Sequence, residues 1–148
     1  MRCFLALLAL VMLSLGSFAD DKKEDAKPEL KGDLKLIQGK WQITLLERDG
    51  VRITEEDLKS AAMKINGDRF EYDSPVDGTQ EGTLKLDDTK KPKHMDVTVA
   101  SGDKVLAIYE IKDDELKVCY TGPGSDRPTE LSGSSDSGAT LIVMKRKK

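Results

Sequence analysis

The sequence predicts an all-β fold: a small antiparallel up-and-down barrel of about eight strands, with a short helical turn before the first. Three observations carry that expectation. From Trp41 to Arg146, short runs of alternating apolar and polar residues are separated by clusters of Gly, Asn, Asp, Ser and Pro, the pattern of strands joined by tight turns. Two of the turns can be placed by residue type, at Asn66-Gly67 in "MKINGDRFEY" and at Asp113-Asp114 in "AIYEIKDDELKVCY". The length of 148 residues suits one domain once the start of the chain is set aside.

That start reads as a targeting segment. Arg2 precedes the uncharged stretch "CFLALLALVMLSLGSFA", and Ser17-Phe18-Ala19 offers small residues to a signal peptidase. The apolar part, Phe4 to Leu15, is shorter than the roughly 18 residues a spanning helix requires. Residues 1–19 are therefore expected to be a signal peptide cleaved after Ala19, giving an exported protein, periplasmic or extracellular, with no membrane span after cleavage. Residues 20–31, "DDKKEDAKPELK", mix charges with one proline and offer little to bury, as in a flexible tether. The domain then occupies residues 32–148.

Within the domain, Asp33 opens a short helical turn, "LKLIQ", that stops at Gly39. "KWQITLLER" is the first strand, and "TEEDLKSAA" is expected to be a short helix between it and the second. An Asn-Gly pair tolerates the positive φ of a type I′ turn, which would set Met63 opposite Phe70. The Asp113-Asp114 turn sets Ile111 opposite Leu116, Tyr109 opposite Val118 and Ala107 opposite Tyr120 on one face. On the other face it sets Glu110 opposite Lys117 and Ile108 opposite Cys119. A slip of one residue would scramble both faces. "EGTLKLD", "KHMDVTVA" and "ATLIVMKR" complete the strands, and "SGSSDSG" before the last one is a polar loop. Alternation from Trp41 places Ile43 and Leu45 inside the barrel with it.

Composition narrows the function. The formal net charge is −3 and becomes more negative once Arg2 leaves, which opposes a nucleic-acid partner, since that would need a basic stripe. Cys3 departs with the signal peptide, so Cys119 has no internal disulfide partner; a small buried thiol is the plain expectation and a reactive one the alternative. His94 is the only histidine and no motif ties it to a nucleophile or ligand set. The carboxylates belong to turns and the tether, and no calcium loop is spaced correctly. Neither an enzyme, a metal nor a cofactor is expected.

The stretch "DLKLIQGKW" resembles the signature of lipocalin-like barrels, a helical turn running into Gly-x-Trp on the first strand. Together with "KVCYTGPGSDRPTEL" and "GATLIVMKRK", the span from Asp33 to Lys148 resembles the planctomycete lipocalin-like domain of unknown function, a family of exported bacterial proteins. The resemblance implies a tryptophan plugging the closed end of the barrel with a cation from the last strand across its ring. Gly39 and Trp41 match that motif directly. Lys145 and Arg146 point to opposite faces, so one of them supplies the cation; Arg146 is the choice, because guanidinium stacks on aromatics better than ammonium.

Two functions fit such a domain. One is a binding module holding a small apolar or amphipathic molecule at the barrel mouth, with Tyr109, Tyr120 and Arg127 as the expected contacts. In that case Arg127, the one cation of the Pro-rich loop "TGPGSDRPTEL", orients an anionic group; otherwise it fixes its own loop against the barrel. The other function is an envelope protein-interaction module with a side-chain-filled barrel, because most inward candidates are large and an eight-stranded barrel is just wide enough to be filled or to hold one small ligand.

Overall fold

Alternation along the chain is realised as nine antiparallel strands in the computed structural model, which describes residues 29–148. The expected signal peptide and most of the tether lie outside the described residues. A four-residue helical turn, α1 (Asp33–Leu36), precedes β1 (Gly39–Arg48), β2 (Val51–Thr54), β3 (Ala62–Asn66), β4 (Arg69–Ser74), β5 (Gly78–Asp87), β6 (Lys93–Val99), β7 (Lys104–Lys112), β8 (Glu115–Tyr120) and β9 (Thr140–Arg146). Each strand from β3 onward pairs with the next, and β9 returns to β1. The result is the expected closed eight-stranded barrel, with β2 as an additional strand. Closure matters physically, because it leaves no long unpaired edge.

The additional strand precedes the segment expected as a helix, and that segment is a run of turns. The second half of β1 pairs with β2, Arg48 opposite Val51 and Leu46 opposite Ile53, whereas its first half pairs with β3, Trp41 opposite Met63. Asp49 and Gly50 at the β1–β2 turn both have positive φ, 54° and 74°, as a type I′ turn requires. The following "TEEDLKSAA" segment forms successive hydrogen-bonded turns, Leu58 N–H to the Thr54 carbonyl and Ala61 N–H to the Leu58 carbonyl. Leu58 and Ala61 are fully buried, so the segment is held by two apolar anchors and does not extend into a regular helix.

Two further expectations shift. In the β3–β4 hairpin Met63 lies opposite Tyr72, and Phe70 opposite Ile65, because the positive φ falls on Gly67 rather than on Asn66. The Gln38 side chain fixes that turn, accepting from Gly67 N–H at 2.7 Å and donating to its carbonyl at 2.9 Å. Inward faces are unaffected, since the turn centre moves by one residue on both arms. In β1 the register to β9 jumps from Ile43 opposite Met144 to Leu45 opposite Val143, leaving Thr44 as a bulge. Leu46 and Arg48 consequently take the inner face, and Leu45 and Glu47 the outer one. The Asp113-Asp114 hairpin has the expected register throughout, from Ile111 opposite Leu116 to Ala107 opposite Tyr120.

The barrel interior is one apolar cluster that includes Trp41, Ile43, Leu46, Ile65, Phe70, Tyr72, Tyr109, Leu116, Val118 and Met144. A second, smaller cluster lies on the outer face of β7, β8 and β9, where Ile108, Cys119 and Leu141 are covered by Leu131 and Ala139 of the β8–β9 connection. That connection is pinned at Gly133, whose N–H donates to Glu47 Oε1 at 3.2 Å and whose carbonyl accepts from Gly50 N–H at 2.9 Å. A side chain at Gly133 would run into the Glu47 backbone carbonyl.

Candidate functional site

The two ends of the barrel are built differently, and the difference locates the site. At one end the chain around α1 folds across the opening. Ile37 and Trp41 are fully buried, and the indole N–H donates to the Ile37 carbonyl at 2.8 Å. The Arg146 guanidinium lies 4.3 Å from the centre of the Trp41 ring. It also donates to the Gln38 and Leu36 carbonyls, each at 2.6 Å, and to Asp114 at 3.2 Å. Lys145 is exposed on the other face. Gly39 takes φ 113° where the chain enters β1, a conformation that favours glycine.

Tyr109 belongs to this sealed end. Its side chain is 1% exposed and its hydroxyl donates to Asp33 Oδ2 at 2.9 Å, the same oxygen that takes Lys93 Nζ at 2.6 Å. Burial, seconded by the Asp33 carboxylate, pushes the phenol well above its usual range. The hydroxyl thus fastens α1 to the barrel wall.

Arg127 lies on the outside of the barrel. It donates to the Ala107 carbonyl at 2.7 Å and to the Asp96 carboxylate at 2.6 Å, so the guanidinium ties the Pro-rich loop to β6 and β7. That loop borders a shallow surface depression of about 400 Å³ lined by Thr121, Arg127, Glu130 and Ala139 among others. Tyr109, Tyr120 and Arg127 therefore occupy three places: sealed end, opposite end and outer wall.

Tyr120 alone of the three reaches the end that α1 does not cross, termed the open end, and there it meets residues the sequence did not single out as a group. Arg48, turned inward by the Thr44 bulge, donates through Nη2 to the Tyr120 hydroxyl at 3.3 Å and through Nε to Thr140 Oγ1 at 2.8 Å. Both Nη atoms bind Asp77, at 3.0 and 3.1 Å, in a bidentate pair that bridges from β1 to the β4–β5 turn. Asp77 holds Arg48 firmly protonated. Tyr72 of β4 completes the group. It is 5% exposed, and its hydroxyl has no hydrogen-bond partner among the described residues. Burial dominates its ionisation by pushing the phenol up, and the Ser74 side chain, close by but outside hydrogen-bond geometry, opposes that shift. Burial likewise raises Tyr120.

A polar group sunk in an apolar barrel is costly unless it is paired. The arrangement is thus a partly satisfied network, with one bidentate ion pair, two bonded hydroxyls and one orphan. Tyr120 is one of the contacts expected from the sequence, and Tyr72 follows Phe70 by two residues on β4 and so shares its inward face. Arg48 was hidden by the bulge, which reverses its face, while Asp49-Gly50 was the available signal for the extra hairpin.

Cys119 sits under the β8–β9 connection, its thiol directed to the Ser132 carbonyl at 3.5 Å and its pKa raised by burial. His94 lies on β6 opposite Ile108. Among the described residues no group of three or more His, Cys, Asp or Glu is placed to hold a metal ion, and no helix is long and apolar enough to cross a membrane. Comparisons with protein-family models, curated proteins and solved structures give no match.

Proposed function

We propose that this chain is an exported, non-enzymatic lipocalin-like binding domain that takes one small amphipathic molecule at the open end of its barrel. The observation that carries the proposal is the placement of Arg48, Tyr120 and the unpartnered Tyr72 hydroxyl inside that end, while Trp41 and Arg146 block the other. A pocket that combines apolar wall with a few convergent polar groups is the usual form of a small-molecule site. Large side chains fill the barrel below the site, so its capacity is small. The test is native mass spectrometry of protein from its own source, joined to titration with fatty acids and small aromatic acids. A small acid bound at one per chain is the expected result, and a retained long-chain lipid would contradict the limited capacity.

A second reading rests on the same filled interior: an envelope protein-interaction module that uses its outer face and loops. Silence across the whole panel would favour it. Export is tested separately by the mass of the mature protein, which should begin at Asp20.

A further inference from the structure

The open end already holds a carboxylate, and it is the protein's own. Asp77 rides on the turn between β4 and β5, next to Val76, whose side chain is 44% exposed. It takes both terminal nitrogens of Arg48, as a bound acid would. Four of the five guanidinium N–H groups are used, two by Asp77 and one each by Thr140 and Tyr120. One Nη1–H and the buried Tyr72 hydroxyl remain available as donors. Beside them lies an uncovered apolar surface. Val51 stands directly opposite Arg48 in the β1–β2 ladder and shares its face, yet it is 64% exposed.

We propose that the open end is a carboxylate subsite in which Asp77 stands in for the ligand. A small monocarboxylate with a short apolar part displaces Asp77 from Arg48, takes the Tyr72 hydroxyl as a further donor and lies against Val51 and Val76. This inference rests on the small-ligand reading above and names its ligand class. Two carboxylates on one guanidinium repel each other, so Asp77 must swing away with its turn and thereby sets the affinity. It also rejects neutral molecules, which gain nothing by breaking the ion pair.

The test is calorimetric titration of the purified protein with octanoate and with neutral octanamide, the fold of each variant being checked by circular dichroism. Asp77→Asn should bind octanoate about tenfold more tightly than wild type, the size of a charged hydrogen bond, and should still prefer it to octanamide. Arg48→Gln should erase the preference for the acid. Tyr72→Phe should weaken octanoate several-fold while melting no lower than wild type, because the lost hydroxyl had no partner; it also serves if Arg48→Gln fails to fold. Equal binding of acid and amide by Asp77→Asn would overturn the carboxylate subsite and leave the small-ligand reading standing. Absence of binding of either compound by every folded variant would overturn both.

Discussion

A single indole carries one end of the molecule. Trp41 is fully buried, its N–H is bonded to Ile37, and Arg146 lies on its ring. Trp41→Ala should cost about 3 to 5 kcal/mol, from lost burial and the cavity left behind, and the native protein should emit at a blue-shifted wavelength that moves to the red on unfolding. Arg146→Ala should cost about 2 kcal/mol, because the Leu36 and Gln38 carbonyls lose a charged donor together with the stacking. Lys145→Ala, exposed on the opposite face, should change stability by no more than about 0.5 kcal/mol. Chemical melts of the three variants check the order, and an equal loss at 145 and 146 would contradict it. Glu47 differs in being pH-sensitive. Its bond from Arg52 leads in holding its carboxyl below the usual range, so its stabilising effect is complete above the unfolded value of about 4.3 and is lost as pH falls through the lowered folded value. Glu47→Gln should therefore flatten the acid limb of stability against pH, modestly because Arg52 is largely exposed.

Among the elements, β1 does the most to set the chemistry, and its bulge is the reason. One extra residue at Thr44 gives Leu46 the interior and leaves Leu45 half-buried outside. Leu46→Ala should cost about 2 to 5 kcal/mol, whereas Leu45→Ala should cost distinctly less; urea melts that ranked them the other way would restore simple alternation along the strand. The β8–β9 connection is the second element with a measurable role. It covers Cys119 and is anchored where Gly133 meets the Glu47 carbonyl with no room for a side chain. Gly133→Ala should lift the cover, so that a maleimide labels Cys119 quickly in the native state. In wild type, burial keeps the thiol protonated and shielded, and labelling should wait for unfolding.

At the scale of the whole molecule, closure of the sheet makes a two-ended container with opposite chemistry. One end is shut by α1, Trp41, Arg146 and the Tyr109–Asp33 bond; the other gathers Arg48, Asp77, Tyr72 and Tyr120. A ligand entering the open end should leave the emission maximum of Trp41 nearly unchanged while altering the near-ultraviolet tyrosine dichroism. A large shift in the indole emission at saturation would place the ligand at the wrong end. Long-chain lipids should fail to bind tightly, since Trp41, Ile43, Leu46, Leu116 and Met144 occupy the interior of a barrel only just wide enough to be filled by side chains.

Local rules made much of this fold legible in the sequence. Strand periodicity gave the all-β class, and the Asp113-Asp114 turn fixed a hairpin whose faces could be assigned residue by residue. Parity also protected the inward positions of β3 and β4 when their turn moved by one residue, because side chains alternate with a period of two. The site was less legible, for reasons of distance. Arg48 acquires its partners from the β4–β5 turn, β8 and β9, between 29 and 92 residues away in the chain, and a bulge that no residue type announces determines which way it faces. Tyr109 and Tyr120 share a strand face and even a hairpin, yet Asp33 draws one hydroxyl to the sealed end and Arg48 draws the other to the open one. Residue type and spacing thus settled which side chains face inward over most of the barrel; the closing of β9 onto β1 decided which of them meet, because that pairing joins the first and last strands of the barrel.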